Sequence, residues 1–162
     1  MDKRIFVTAA TFDGNLDGIG GADLKCNADT NKPGVGTYKA MIAGESLRSA
    51  FPPVDWVLTA GTSYFRPADE VFIARALTDA VFTFPLNAPI QPRGGRGRVW
   101  TGLVPPWTTS SSVCDAEGVE FRPWRNGRPI LVGGAFCFAD ISGVVCGVLN
   151  CDDVAGLYCV EQ

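Results

Sequence analysis

Val144-Val145-Cys146-Gly147-Val148-Leu149-Asn150-Cys151 and, after a short turn, Leu157-Tyr158-Cys159-Val160-Glu161 are the stretches on which the fold turns. Within them Val144 to Leu149 and Leu157 to Val160 are rich in β-forming residues and read as strands, as does Ile130-Leu131-Val132 upstream. The two runs hold three of the six cysteines, the others being Cys26, Cys114 and Cys137. No two cysteines make a Cys-x-x-Cys pair, and the chain has no histidine. A zinc site would therefore have to be built from thiolates without the usual ligand spacing. An even set of cysteines without metal spacing reads instead as a disulfide framework, and so as a protein of an oxidising compartment. Six cysteines allow fifteen connectivities, and spacing alone selects none of them.

Working outward, Ile130 to Leu149 is almost free of charge and long enough to suggest a membrane span. It contains Asp140, several glycines and two cysteines, and an aspartate at a span centre costs about 2.5–3.5 kcal/mol. Buried strands, not a span, are expected there. At the other end Ile5-Phe6-Val7-Thr8 reads as an early strand. Thr11 to Gly21 reads as glycine-rich loop, Ala22 to Ala28 as helix, and Thr37 to Ile42 as an alternating strand. A short helix over Glu45 to Phe51 is stopped by Pro52-Pro53. Trp56 to Leu58 and Val81 to Phe84 look extended, Val99 to Leu103 reads as a strand, and Pro105 to Pro129 as mostly loop. With no repeat or linker, residues 1–162 form a single α+β domain, with short helices in front and strands behind. Met1-Asp2-Lys3-Arg4 runs straight into the first strand, so export would depend on a signal outside this sequence.

Charge narrows the function. The chain carries a net charge of -3 with 19% charged residues, which argues against general nucleic-acid binding. The sign is unevenly spread. Residues 91–128 hold six arginines (Arg93, Arg96, Arg98, Arg122, Arg125 and Arg128) against Asp115, Glu117 and Glu120, whereas residues 129–162 hold four acids and no base. The basic segment also carries Trp100, Trp107 and Trp124. Arginine and tryptophan are favoured at binding hot spots, and guanidinium forks suit sulfate and carboxylate. The six arginines with Trp107 and Trp124 are therefore the candidate ligand-binding residues. The competing reading is that the arginines solvate long loops while the tryptophans fill the core.

Other motifs carry less. Asp13-Gly14-Asn15-Leu16-Asp17-Gly18 imitates the start of a calcium loop, but its twelfth position falls on Leu24, which cannot supply the bidentate acid. Tight-turn chemistry accounts for the segment. Without histidine there is no Ser-His or Cys-His pair. The paired acids Asp69-Glu70 and Asp152-Asp153 are neighbours in sequence, and neighbours on a strand face opposite ways. No catalytic residue, metal or cofactor is expected.

Several segments resemble a known family. Gly18-Ile19-Gly20-Gly21-Ala22-Asp23-Leu24-Lys25-Cys26, followed by Gly36-Thr37-Tyr38-Lys39-Ala40, resembles the first helix and next strand of endostatin-like domains. Val99-Trp100-Thr101-Gly102 resembles their central strand, and Cys151 with Leu157-Tyr158-Cys159-Val160-Glu161 their closing segment. Phe6-Val7-Thr8-Ala9-Ala10-Thr11-Phe12-Asp13-Gly14-Asn15-Leu16 is similar to the bacterial endostatin-like domain of leptospiral surface proteins. The resemblance implies a disulfide-stapled C-type-lectin-like fold with Cys26–Cys159 and Cys114–Cys151 bridges, leaving Cys137 to pair with Cys146. It further implies an adhesin-like domain, extracellular or on the bacterial surface, outer membrane included. Its partners would be host extracellular-matrix proteins, plasminogen or complement regulators, with a role in virulence; the basic loops would also attract sulfated glycans. The chain lacks both the N-terminal zinc-binding histidines of endostatins and the calcium and sugar motifs of C-type lectins. A carbohydrate-binding module working without calcium, through Trp107 or Trp124, is the alternative.

Overall fold

The final strand, β10 (Gly156–Glu161), is buried over residues 156–160. Continuous burial of this kind requires cover on both faces of a sheet and suits the apolar run Leu157-Tyr158-Cys159-Val160. The structure, a computed structural model, describes residues 2–44, 46–91, 97–104, 107–115, 122–127, 133–138 and 146–162, without the side chains of 133–138 and Cys146.

Strand β1 (Asp2–Val7) lies antiparallel along one edge of β10, with Phe6 opposite Cys159. Two strands share the other edge. β2 (Tyr38–Ala40) pairs antiparallel with Cys159–Glu161, and β5 (Arg98–Trp100) pairs parallel with Gly156 and Leu157. Beyond β1 come β3 (Ser63–Arg66), parallel to it, and then β4 (Val71–Arg75). Beyond β5 come β8 (Gly133–Phe138) and β9 (Cys146–Asn150), both antiparallel. Among the described residues these eight strands form one sheet, and β6 (Leu103–Val104) with β7 (Thr108–Thr109) makes a separate hairpin. One helix, α1 (Gly18–Ala28), accompanies them.

Side-chain alternation on β1 and β10 divides the interior into two cores. Ile5, Val7, Tyr158 and Val160 join Tyr64, Ile73, Phe82 and Trp107 in the first. Phe6, Leu157 and Cys159 join Leu16, Ile19, Ala22, Cys26, Trp100 and Trp124 in the second.

Several local expectations are corrected. α1 starts at Gly18, not Ala22, because Gly21 lies so close to the Leu16 carbonyl that a Cβ there would sit 2.1 Å from its oxygen. Glycine's poor helix propensity is overridden by that approach and by the burial of Ile19. The helix expected over Glu45 to Phe51 is absent from the described residues, where bridges pair Gly44 with Arg48 and Ser49 with Val54. Arg48, drawn into the interior, sets that conformation. Val57, Leu58, Val81 and Phe82 are core residues outside any strand, while β3 and β4 fill the stretch between them. The strand expected over Val99 to Leu103 is split. Gly102 has φ +62°, and a Cβ there would lie 2.2 Å from the Ala43 carbonyl oxygen. Ile130 to Val132 and Asp140 lie outside the described residues. No helix among the described residues is long and apolar enough to cross a membrane.

Among the described residues, two disulfides lock this arrangement. Cys26–Cys159 ties α1 to β10 across a sequence separation of 133, and Cys114–Cys151 spans 37. Chain-entropy arguments assign such closures about 5 and about 4 kcal/mol respectively. Cys137 stands directly opposite Cys146 in the β8–β9 ladder, and facing antiparallel residues are about 4.5–5.5 Å apart at Cα, within disulfide reach. The side chains of that pair lie outside the described residues. Non-reducing peptide mapping is expected to link Cys137 with Cys146 as a third bridge, and replacing Cys26 and Cys159 with serine should cost about 2–5 kcal/mol in denaturant unfolding.

Candidate functional site

The basic segment divides into core anchors and exposed charges. Trp124 is 0% exposed, and its indole donates to the Ala43 carbonyl at 2.8 Å. It packs against Trp100, whose indole donates to the Phe12 carbonyl at 2.8 Å, with ring centroids 5.7 Å apart. Trp107 belongs to the other core. Its indole donates to the Phe82 carbonyl at 3.0 Å, and its ring stacks on Phe84 at 5.7 Å. Buried rings with satisfied N–H groups are core residues, and a ligand has no ring face to stack on. Trp107 and Trp124 are thereby removed from the candidate ligand-binding set.

The arginines behave differently. Arg98 opens β5 and is exposed, as are Arg122 and Arg125 on the loop that carries Trp124. Arg93, Arg96 and Arg128 lie outside the described residues. Arg122 and Arg125 thus share one short loop, while Arg98 stands on another element. The guanidinium of Arg125 covers Gly18, where a Cβ would lie 3.2 Å from Nε.

That loop is held firmly. The Trp124 carbonyl accepts from the amides of Leu16 and Gly18, the Trp124 amide donates to Val113, and the Arg125 amide donates to Cys114. Trp107, Cys114 and Trp124 all hold positive φ (97°, 46° and 61°). Such backbones cost on the order of 1–3 kcal/mol each and persist only where surrounding contacts impose them. Here the imposing contacts are the buried indoles and the Cys114–Cys151 bridge. Gly14 packs on that bridge so closely that a Cβ would meet Cys114 Sγ at 2.4 Å.

The acidic motifs serve local structure. Asp13 accepts from the Asn15 amide and Asn15 from the Asp17 amide, giving the tight turns the sequence implies. Asp69 pairs with Arg66, Glu70 with Arg4, and Asp153 accepts from the Asn150 amide in the final turn.

Sequence reasoning missed Arg48. Only 1% exposed, it pairs with Asp23 at 2.7 Å and Asp55 at 2.5 Å, and it donates to the Ala40 carbonyl at 2.9 Å. Lys39 also binds Asp55. Burial pushes the Asp55 carboxyl up, yet the hydrogen bonds from Lys39 and Arg48 outweigh it and leave the group below its ordinary value. An arginine between Leu47 and Ser49 gives no sequence signal of burial; only the acids that fold beside it reveal its role.

A family model described as a protein of unknown function, DUF1554, matches residues 9–136. The chain belongs to the DUF1554 family. The match takes in α1, the Arg48 network and the loop bearing Arg122 and Arg125. A search of curated proteins finds no match to this DUF1554 chain.

Three outcomes test these assignments. Trp124→Ala should cost about 3–5 kcal/mol in unfolding experiments, as a core truncation does. Arg48→Ala should cost about 2–3 kcal/mol, below the range for fully buried pairs because Asp55 is 41% exposed. Since Asp55 is held below its unfolded value of about 3.9, its contribution is complete above that pH and is lost as pH falls through the lowered value. The stability gap between the parent protein and Asp55→Asn should therefore close on acidification below about pH 4.

Proposed function

We propose that this DUF1554 chain is a C-type-lectin-like binding domain displayed outside the cell or on the bacterial surface, and that it engages the acidic faces of host proteins. The observation that carries the proposal is the exposure of Arg98, Arg122 and Arg125 on a protein whose net charge is -3. Exposed arginines on an acidic protein attract acidic partners and speed their encounter. Rigid loops reduce the ordering cost of binding, and the buried tryptophans and the Cys114–Cys151 bridge supply that rigidity. Extracellular-matrix proteins, plasminogen and complement regulators are the partner class, with sulfated glycans offering the same anionic chemistry. Disulfides persist in oxidising surroundings, which supports the location. Binding, not catalysis, is the proposed activity.

Exchanging Arg98, Arg122 and Arg125 together for Ala tests this by surface-bound kinetics against matrix proteins, plasminogen, complement regulators and a sulfated glycan. Association should slow most at low salt, while stability changes by no more than about 0.5 kcal/mol per exposed site. Unchanged association with every partner the parent protein binds would reduce these arginines to solvated loop residues.

A further inference from the structure

Val35 is 80% exposed, more than any other large apolar side chain among the described residues. It stands in Pro33-Gly34-Val35-Gly36, on the loop between α1 and β2. Both ends of that loop are fixed. Before Val35, the Asn31 side-chain amide donates to the Val7 carbonyl at 2.9 Å, and the Asn31 backbone amide to Asp29 Oδ1 at 2.9 Å. After it, Gly36 holds φ +91° against the end of β10, where a Cβ would lie 3.2 Å from Glu161 Oε1. The Gln162 amide then donates to the Thr37 carbonyl at 2.9 Å. The loop thus holds Val35 out in water from two anchored ends.

One exposed apolar residue is ordinary, but this one has a hollow beside it. A pocket of about 200 Å³ borders the same loop at Pro33. Phe6, Val7 and Ile90, all buried, give it apolar surface, and Pro67 lines it from the turn between β3 and β4. Its volume is below the about 300–1,000 Å³ of small-molecule sites and suits a side chain. The frame is firm. Arg66, also in the lining, binds Asp69 at 2.8 and 2.6 Å and the Pro89 carbonyl at 2.5 Å, and the Phe6 ring meets Tyr38 edge-on at 5.2 Å. The two sides differ in charge. Loop residues 30–36 carry one charge, Lys32, whereas the turn after Pro67 carries Asp69 and Glu70, with side chains 43% and 58% exposed.

We infer that this face is an interface between two copies of the chain, in which Val35 of each copy enters the pocket of the other. Knob and pocket both adjoin Pro33, so one two-fold axis satisfies both contacts and closes the assembly as a dimer. The same rotation brings Lys32 of each copy towards Asp69 and Glu70 of the other, an opposite-charge match that fixes register. Asp69 and Glu70 already bind Arg66 and Arg4, but a carboxylate accepts from several donors and both stay open to solvent. Removing two valines and two apolar pockets from water drives the association. The contact is small, and interfaces below about 1,200 Å² belong to transient complexes, so the dimer is a weak one. Arg125 sits at the start of α1 and this loop follows its end, so the interface stands independently of the arginines' role.

Sedimentation equilibrium of the whole protein, carried to millimolar concentration, tests the inference. The parent protein should follow a monomer–dimer equilibrium that weakens with added salt. Val35→Asp sets a charge against the apolar pocket, and Ala68→Phe fills the pocket from an exposed position in its lining; thermal melts verify that both variants fold. Each folded variant alone should dimerise about tenfold or more weakly than the parent. Mixed, the two should associate more strongly than either alone, because one supplies an intact pocket and the other an intact Val35. The Arg98, Arg122 and Arg125 triple variant should dimerise as the parent does, which keeps this result distinct from the arginine proposal. A monomer at every concentration, a dimer that neither folded variant weakens, or a mixture no stronger than its parts would overturn the interface.

Discussion

The Cys26–Cys159 bridge pins the helix α1 to the centre of the sheet, and most of the rest is arranged around that join. β10 pairs with β1 on one edge and with β2 and β5 on the other, so the bridge fixes one strand that touches three others. Both cores share β10 as a wall: Tyr158 and Val160 face one, Leu157 and Cys159 the other. Closing so long a loop removes much of the unfolded chain's freedom. That matters in a domain whose described residues include a single helix and many short strands. The second bridge works locally, joining the loop after the β6–β7 hairpin to the turn that leads into β10.

Around this frame, polar chemistry does the positioning that regular structure would do elsewhere. Asp23 reaches from α1 to the Ala40 amide and to Arg48, while Arg48 reaches to Asp55. One buried guanidinium therefore joins the helix, the strand β2 and the segment that carries Asp55. Removing one member of such a set leaves another without its partner, which makes the loop's conformation costly to change. Buried indoles act similarly for the arginine-bearing loop: Trp124 closes on the Ala43 carbonyl and Trp100 on the Phe12 carbonyl.

Much of the frame was legible in the sequence. Ile5-Phe6-Val7 and Leu157-Tyr158-Cys159-Val160 declare themselves by β-forming composition, and the two described bridges join the cysteine pairs that the family resemblance implies. Less was legible wherever tertiary contacts overrule local preference. Gly18 to Gly21 read as loop because glycine is a poor helix former, and only the approach to Leu16 accounts for the glycines in α1. Residues 45–51 read as helix because the burial of Arg48 cannot be inferred from its neighbours. For the site, composition located the basic segment but could not separate its exposed arginines from its buried tryptophans.

A rigid, bridge-anchored sheet carries the loops of the proposed binding surface. Native-state hydrogen exchange tests it most directly, because it reads local opening residue by residue. Backbone amides of Ile5 to Val7 and Leu157 to Val160 should exchange only through global unfolding, and reducing the Cys26–Cys159 bridge should accelerate them together. Exchange in β10 as fast as at exposed loop positions such as Ser46 and Ser111, with the bridge intact, would contradict the account.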